Sequence, residues 1–361
     1  VWFDVESAPE KYGVLTGQSI DAVKAGAGGR VEDSGKRDHK DFALWKVAKP
    51  GEPAWPSPWG DGRPGWHIEC SAMSLKHFGE QFDIHGGGHD LRFPHHEAEI
   101  FQSECCTGKE PLVRFWMHNG FVNVDGEKMS KSLGNFWTIT DALEKYEPLV
   151  LRHALLNAHY RSPIDLSEQL LEDAKRHHAK IVEVYGHALV IIEMASKAGI
   201  RDAPRLPKPD ISSDDFLISK LGLLEKLLQE AAVAMDDDFN SRQALAKVSN
   251  GAKIIPQILE SESLDEQDTL AFAHYAVEWI EEFAGEVLGL LPDKTIAMAA
   301  YDPNLDPARQ AIKDDVEALL ARRAIARTAK DWESADQIRD ELAAMGVVVK
   351  DTPDGVVWNL E

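Results

Sequence analysis

The feature that most constrains the fold of this chain is a succession of four segments between residues 82 and 124. They are a predicted strand, a run of glycines, a predicted helix and a second predicted strand. Residues 82–85 (FDIH) form a short apolar strand, and residues 86–88 (GGG) follow it. Pro94 stands where a helix would begin, since its missing N–H costs nothing there. Residues 115–124 (FWMHNGFVNV) alternate as a second strand. The pattern predicts an α/β domain with parallel strands, whose ligands bind outside the carboxyl ends of the strands.

From about residue 139 onward the sequence is helical. Apolar residues recur at three- and four-residue spacing, which predicts helices over residues 167–198, 216–235, 241–259 and 266–291. A final unit combines predicted helices over residues 307–330 and 331–345 with predicted strands over residues 347–350 and 356–360. The predicted fold class is therefore α/β, followed by an α-helical bundle and a small C-terminal α+β unit.

The charge of the chain limits how it could bind nucleic acid. It has 39 Lys and Arg against 61 Asp and Glu, a net charge of −22 over 361 residues. Such a chain cannot hold nucleic acid by a general basic surface, so any contact depends on a local basic patch. No apolar run approaches the roughly 18 residues of a membrane span. Cys70, Cys105 and Cys106 are too few and too clustered for a disulfide framework, so we expect a reducing cytoplasm.

Cys70, His95 and Glu99 are the first candidates for chemistry. His95 and Glu99 lie four residues apart on the helix that Pro94 opens, so they share one face. Thiolate, imidazole and carboxylate are all zinc ligands, and three of them leave one position of a tetrahedral shell for substrate or for a ligand outside this chain. The spacing also fits a solvated helix face, and it leaves five rival ligands open: His96, Glu97, Glu104, Cys105 and Cys106.

Residues 126–135 (GEKMSKSLGN) are the most specific string in the chain. They set Lys128, Ser130, Lys131 and Ser132 between two glycines, directly after a strand. Flexible ammonium groups suit the charge that develops on a pyrophosphate leaving group, and the glycines allow a loop to close and reopen. A solvated Lys/Ser turn is the alternative interpretation.

His85, Gly86, Gly87 and Asp90 form a third candidate element. Glycines after a strand let a ligand approach the backbone closely. Asp90 could accept hydrogen bonds from ribose hydroxyls, as acidic residues do in other nucleotide folds. In order with the lysine loop, these residues favour a nucleotide site.

A short basic stripe stands near the end of this acidic chain. Arg322, Arg323, Arg327 and Lys330 have no acid between them, and the polar and aromatic residues Trp332, Asp336, Arg339 and Asp351 follow. Cations for phosphates, an aromatic for stacking and polar groups for base edges are what recognition of single-stranded RNA needs. The alternative is an amphipathic helical hairpin that buries Trp332 in its core.

Four strings together resemble cysteinyl-tRNA synthetase, a class I aminoacyl-tRNA synthetase. They cover residues 63–74 (RPGWHIECSAMS), 83–103 (DIHGGGHDLRFPHHEAEIFQS), 116–136 (WMHNGFVNVDGEKMSKSLGNF) and 326–360. The string KMSKS matches the class signature loop letter for letter. The resemblance implies a partial Rossmann-like catalytic domain. It also implies this division: a connective insertion (1–55), the C-terminal half of the catalytic domain (56–140), a helical stem-contact and anticodon-binding bundle (141–300) and an anticodon-recognition unit (301–361).

The resemblance also implies a role for each candidate residue. One zinc ion, held by Cys70, His95 and Glu99, binds the thiolate of substrate cysteine, and Trp66 lines the amino-acid pocket. The ATP site, with its magnesium, comprises His85, Gly86, Gly87, Asp90, Lys128, Met129, Ser130, Lys131 and Ser132. The GCA anticodon is read by Arg327, Trp332, Asp336, Arg339 and Asp351. The implied protein is a cytoplasmic monomer that activates L-cysteine with ATP and joins it to tRNA(Cys).

The chain departs from the family at its start. It contains no HIGH motif and not the first zinc cysteine of the family, and residue 1 falls within the connective insertion. We therefore expect an N-terminally truncated synthetase that does not aminoacylate alone and needs a missing N-terminal fragment as partner. Two alternatives stay open. One is the cysteine ligase of mycothiol synthesis, which shares the zinc site and the lysine loop but reads no anticodon. The other is a non-catalytic, tRNA-binding synthetase remnant.

Overall fold

The computed structural model describes residues 1–19, 35–124, 126–129, 138–200, 202–302, 307–328, 331–352 and 355–360. The chain divides into two compact units. Unit 1 comprises Val1–Met129 and Tyr160–Ile164, and unit 2 comprises Ser130–His159 and Asp165–Glu361. Within the described part of the chain, every helix is too short or too polar to span a membrane.

Unit 1 is an α/β arrangement built on a parallel pair of strands. Its elements are β1 (Trp2–Phe3), β2 (Phe42–Ala43), β3 (Trp45–Val47), β4 (Gly62–Pro64), α1 (Trp66–Phe78), β5 (Phe82–Gly88), α2 (Glu97–Thr107), β6 (Val113–Asn119), β7 (Val122–Val124) and β8 (Glu127–Lys128). Strands β5 and β6 are parallel, with Phe82 opposite Val113 and Gly88 opposite Asn119. Strands β1 and β2 form one antiparallel pair, and β3 and β4 form another. The predicted strand–helix–strand order is therefore present.

Two details of the predicted strands were wrong. The strand predicted to end at His85 continues through the glycines to Gly88, because all three pair with β6. The strand predicted over residues 115–124 is two strands that break at Gly120. A Cβ on Gly120 would lie 2.3 Å from the Ser162 carbonyl, and the Gly120 N–H donates to the Tyr160 carbonyl at 2.7 Å. The close approach of the 160–164 segment therefore separates β6 from β7.

The first residues of the chain pack against helix α2. Val5 and Phe101 are buried in one apolar cluster. Beside it, the buried Lys11 Nζ lies 2.7 Å from Glu104 Oε2, and both side chains are 9% exposed. Glu104 Oε1 also accepts a hydrogen bond from the Leu112 N–H at 2.8 Å. Apolar burial and a buried ion pair thus both hold the segment that precedes residue 12 to the helix that carries Glu99.

Unit 2 is mainly helical, with a small C-terminal sheet. Its elements are α3 (Ile139–Leu143), α4 (Pro148–Leu156), α5 (Glu168–Lys197), α6 (Phe216–Asp236), α7 (Ser241–Leu259), α8 (Glu266–Ile280), α9 (Lys294–Tyr301), α10 (Pro307–Thr328), α11 (Trp332–Ala344), β10 (Val347–Thr352) and β11 (Gly355–Leu360), and β9 (Ile164–Asp165) lies at its boundary in the chain. The predicted periodicities locate α5, α6 and α7 within one residue at each end. Helix α8 is shorter than predicted. Wider helical turns (Glu281–Val287) follow it, and there the Leu288 N–H donates to the Phe283 carbonyl.

Side-chain caps explain where the long helices begin. Ser167, Asp215, Asn240 and Asp265 precede α5, α6, α7 and α8, and each side chain accepts a hydrogen bond from a backbone N–H of the first turn. Such caps stabilise a helix by about 1 kcal/mol each. The apolar faces of these helices then form one core, whose fully buried members include Ile181, Leu221, Leu224, Ile255, Ile258, Phe272, Ile280 and Leu290.

The C-terminal elements have a core of their own. Helices α10 and α11 pack on the antiparallel hairpin of β10 and β11. The buried residues of this core are Val316, Ile338, Leu342, Val347 and Trp358. The tryptophan of this core is thus Trp358, whereas the side chain of Trp332 is 59% exposed. The alternative in which Trp332 fills the core of a helical hairpin is therefore wrong.

Candidate metal and nucleotide site

The structure brings Cys70, His95 and Glu99 together. Cys70 lies on helix α1, His95 lies two residues before α2, and Glu99 lies in the first turn of α2. One ligand atom from each residue lies within 4.8 Å of the ligand atoms of the other two. His95 is 4% exposed and Glu99 is 0% exposed, while Cys70 is half-buried. The three residue types that were selected from the sequence therefore converge at one point.

The Glu99 carboxylate of this cluster is buried without a hydrogen bond from the described residues. Neither carboxylate oxygen of Glu99 accepts a hydrogen bond from a described residue, although His95 Nε2 lies 3.0 Å from Oε1. An unpaired buried carboxylate is costly, because it loses its hydration without compensation. A divalent cation bound by the Glu99 oxygen, His95 Nε2 and Cys70 Sγ would remove that cost. The donor set thus fits zinc in residue type, and its ligand atoms lie close enough together to share one ion.

The protonation state of Cys70 fits the same interpretation. Burial, and then the nearby carboxylates of Glu99 and Glu69, raise the pKa of the Cys70 thiol above its ordinary value. The thiol is therefore protonated at neutral pH unless a positive charge lies beside it. A bound zinc ion supplies that charge and deprotonates a coordinating thiol.

Two aromatic side chains of helix α1 hold His95 in place. His67 Nδ1 lies 2.9 Å from His95 Nδ1, and both rings are buried. This hydrogen bond occupies Nδ1 of His95. The other ring nitrogen, Nε2, therefore stays available as a ligand to a metal shared with Cys70 and Glu99. The indole of Trp66 stacks on the His95 ring at 4.7 Å between centroids and is 44% exposed. Trp66 therefore presents exposed indole surface beside the candidate metal site, and its place in the wall of an amino-acid pocket stays a prediction.

The rival ligands divide into three groups. Glu97 Oε1 accepts hydrogen bonds from the N–H groups of Leu15 and Thr16, and Glu104 pairs with Lys11, so both carboxylates serve packing contacts. Cys105 and Cys106 are exposed near the end of α2. His96 belongs instead to a second cluster with His85 and Glu99, whose ligand atoms also lie within 4.8 Å of one another.

The second cluster extends from His96 along strand β6. His96 Nδ1 lies 2.8 Å from His118 Nε2, and the His85 and His96 rings meet edge-on at 4.6 Å. Burial, followed by the neighbouring imidazoles of His85, His118 and His95, lowers the pKa of His96 to about 3. His96 is therefore neutral at physiological pH. The sequence analysis did not single out His118. The only hint in the sequence is that His95 and His96 are adjacent, so their side chains cannot both point to the same site.

The glycines of β5 serve this cluster. A Cβ on Gly87 would lie 2.8 Å from Cε1 of His96, so glycine leaves space for the imidazole. A Cβ on Gly86 would meet the Met117 carbonyl at an ordinary 3.6 Å. Asp90 is exposed, and its Oδ1 would lie 2.6 Å from a Cβ on Gly88. His85, Gly86, Gly87 and Asp90 thus lie at or just beyond the carboxyl end of β5, where the sequence predicts a nucleotide.

The lysine loop lies mostly outside the described residues. Ser130, Lys131 and Ser132 fall there, while the backbone of Lys128 pairs in β8 opposite Asn123 of β7. The Met129 N–H donates to the Val122 carbonyl at 3.1 Å. The short hairpin of β7 and β8 therefore leads directly into the predicted phosphate-binding loop.

The predicted anticodon residues lie in the C-terminal elements. Arg327 is exposed in the last turn of α10, and Trp332, Asp336 and Arg339 are exposed on α11. Asp351 is in β10, and its side chain is outside the described part. An exposed indole at the start of α11, one helix turn from Asp336, offers a surface on which an unpaired base could stack.

Three family models match this chain. A model described as the tRNA synthetases class I (C) catalytic domain covers residues 1–176. A DALR domain model covers residues 232–292, and a model of the cysteinyl-tRNA ligase anticodon binding domain covers residues 309–358. Together with the parallel strands of unit 1 and the helices of unit 2, these matches define a class I aminoacyl-tRNA synthetase.

Curated relatives specify the family further. The chain is 46% identical to a cysteine–tRNA ligase of Geobacter sulfurreducens and 44% identical to one of Pelobacter propionicus, over 100% of this chain and 71% of each relative. The chain belongs to the cysteine–tRNA ligase family. The solved structure of Mycobacterium tuberculosis methionyl-tRNA synthetase in complex with methionyl-adenylate aligns with a TM-score of 0.48 at 18% identity, over 73% of this chain and 57% of that chain.

Proposed function

We propose that this chain selects L-cysteine through a zinc site and serves its ATP-dependent activation and its transfer to tRNA(Cys). In this reaction cysteine and ATP give cysteinyl-adenylate and pyrophosphate, and the cysteinyl group then moves to the 3′ end of the tRNA. The observation that carries the proposal is the fully buried Glu99 carboxylate, which has no hydrogen-bond donor among the described residues and lies within reach of Cys70 and His95. The family membership supports the overall reaction.

Cys70, His95 and Glu99 would hold the zinc and leave one coordination position for substrate or for a further ligand. When bound, zinc supplies a soft Lewis acid, which prefers a thiolate to the hydroxyl of serine. His67 fixes the His95 ring so that Nε2 points toward the metal position, and Trp66 covers one face of that ring. A site that depends on one functional group rejects an analogue without it, so serine would be excluded without an editing domain.

The remaining assignments concern ATP and tRNA. Lys128 and Lys131, with Met129, Ser130 and Ser132, would bind the ATP phosphates with magnesium, and His85, Gly86, Gly87 and Asp90 would contact the adenylate. Arg327, Trp332, Asp336, Arg339 and Asp351 would read the anticodon. The free cysteines fit a reducing cytoplasm, and we expect a monomer.

The matches to the DALR and anticodon-binding models favour tRNA over the amino sugar of mycothiol synthesis as the acceptor of cysteine. Binding at low salt distinguishes these two functions. A cysteine–tRNA ligase should bind tRNA with a GCA anticodon, and a Trp332→Ala variant should bind it more weakly. Equal binding of tRNA with any anticodon would contradict the assigned reading surface.

Metal content is the first test of the zinc site. Purified wild-type protein should hold one zinc per chain, Cys70→Ala should lose most of it, and Cys105→Ala, which removes an exposed thiol of the same unit, should keep it. In cobalt-substituted wild-type protein, Cys70 already gives a thiolate-to-cobalt absorption band. L-cysteine should increase the intensity of this band, and L-serine should not. Equal zinc in wild type and Cys70→Ala would remove Cys70 from the ligand set.

A further inference from the structure

A second pair of buried polar side chains lies between helices α1 and α2, next to the candidate zinc ligands. Ser71 Oγ donates a hydrogen bond to Gln102 Oε1 at 2.6 Å, and both residues are 5% exposed. Ser71 follows Cys70 in the chain, and Gln102 lies three residues after Glu99. The pair therefore joins the same two helices as the candidate ligands, one helical turn further along α2.

The amide nitrogen of Gln102 is a buried donor without an acceptor. Ser71 occupies the amide oxygen, while Nε2 has no hydrogen-bond partner in the described part of the chain. Buried polar groups of native proteins are nearly always paired, because an unpaired group loses its hydration without compensation. The burial of this nitrogen therefore needs an explanation that packing between the helices does not supply.

An acceptor without a donor lies one turn earlier on the same helix. Both carboxylate oxygens of Glu99 are buried and accept no hydrogen bond from the described residues. Residues three apart on a helix have Cβ atoms about 5–6 Å apart, so the long side chain of Gln102 can reach this carboxylate directly or through one water. His85 Nε2 lies 3.6 Å from Oε2, which is beyond hydrogen-bond distance.

We propose that Gln102, anchored by Ser71, is a positioning residue for the metal ligand Glu99. Its amide N–H donates to the carboxylate and holds that group in the orientation in which it shares a metal with Cys70 and His95. Carboxylates that ligate metals are themselves held by hydrogen bonds of this kind. The inference rests on the proposed zinc site and extends it to a residue that does not bind the metal.

Zinc affinity of the full chain, measured by competition with a chelating dye, tests the proposal. Gln102→Met keeps the length of the side chain and removes the N–H donor, so it should weaken zinc binding by about 10- to 100-fold. Its metal-free form should be as stable as that of wild type, because the lost hydrogen bond from Ser71 is offset by removal of an unpaired buried amide. Ser103→Ala, which changes the next buried residue of α2, should bind zinc like wild type.

Ser71→Ala provides a second variant, because it removes the anchor and keeps the amide. It should weaken zinc binding by about 5-fold, the effect of one ordinary hydrogen bond. Added to Gln102→Met it should cause no further loss, since Ser71 acts only through Gln102. In cobalt-substituted protein the ligand-field absorption bands should shift in Gln102→Met, and a role in packing alone would leave these bands unchanged.

Equal zinc affinity in wild type and Gln102→Met overturns the proposal, and so does a loss of affinity that only follows a loss of stability of the metal-free form. Either result leaves the zinc site itself intact, provided that Cys70→Ala has lost its zinc. Equal zinc content in wild type and Cys70→Ala instead contradicts the zinc site and the role of Gln102 together, so the two failures are distinguishable.

Discussion

Replacing His153 by leucine should remove much of the acid sensitivity of unit 2. His153 lies on helix α4, is 1% exposed, and neither of its ring nitrogens has a hydrogen-bond partner in the described structure. Burial, with smaller contributions from His178 and His177, lowers its pKa to about 4. Leucine has a similar volume, favours helix and carries no titratable group.

The sign and the size follow from linkage. The pKa of His153 in the folded protein lies below the ordinary value of 6.5. Between these two pKa values the imidazole is therefore protonated in the unfolded chain and neutral in the folded chain. The free energy of unfolding is therefore unaffected by His153 above pH 6.5, and it decreases as the pH drops from 6.5 toward 4. At 1.36 kcal/mol per pKa unit, the loss is about 2 kcal/mol at pH 5 and about 3 kcal/mol below pH 4. The leucine variant should lack this contribution.

Urea unfolding, followed by helical circular dichroism at pH 7.5 and pH 5, measures the effect. Other buried histidines, including His178 and His187, titrate in both proteins, so the difference between wild type and variant isolates His153. The control is His274→Leu, which removes an exposed histidine of α8 and should behave like wild type. If wild type and His153→Leu lose the same free energy of unfolding between the two pH values, the reasoning about the buried ring is refuted.

Three further outcomes are expected. Lys11→Met should destabilise unit 1 by about 3–5 kcal/mol in a urea titration, because it leaves the buried Glu104 carboxylate without its ion pair. Adding Glu104→Gln should restore part of that loss. Gly87→Ala should cost about 1–3 kcal/mol, because its Cβ would meet His96 at 2.8 Å, and an unchanged melting temperature would contradict this contact. Trp332→Ala should leave thermal stability within about 0.5 kcal/mol, since the side chain is exposed, while it weakens binding of an anticodon stem-loop, and a large drop in stability would show a packing role instead.

Local patterns in the sequence predicted the helices well. The ends of α5, α6 and α7 agree within one residue, because apolar periodicity and the capping residues are both properties of neighbouring positions. The end of α8 was missed at Ile280, since the apolar spacing continues through the wider turns that follow. Interruption of the second strand at Gly120 was missed as well, because its cause is the backbone of Ser162, more than forty residues away.

The candidate site shows the same difference between what local sequence reveals and what contacts between distant residues decide. Residue types and spacing indicated Cys70, His95 and Glu99, since soft and borderline ligands are recognisable by their chemistry. Spacing could not separate them from the rivals on the same helix. The fold did so by pairing Glu104 with Lys11 and by turning His96 toward His118.

The sequence by itself determined which segments form helices and strands, which residue types could bind a metal and phosphates, and which family the strings resemble. Only the tertiary structure decided that Glu99 is buried without a hydrogen bond from the described residues, that Gly87 makes space for His96, that Trp358 rather than Trp332 fills the C-terminal core, and that Arg92 and Arg161 line one pocket. The physical reason is that periodicity and capping act between residues a few positions apart. Burial and charge pairing depend instead on segments that are distant in the chain and meet only when it folds.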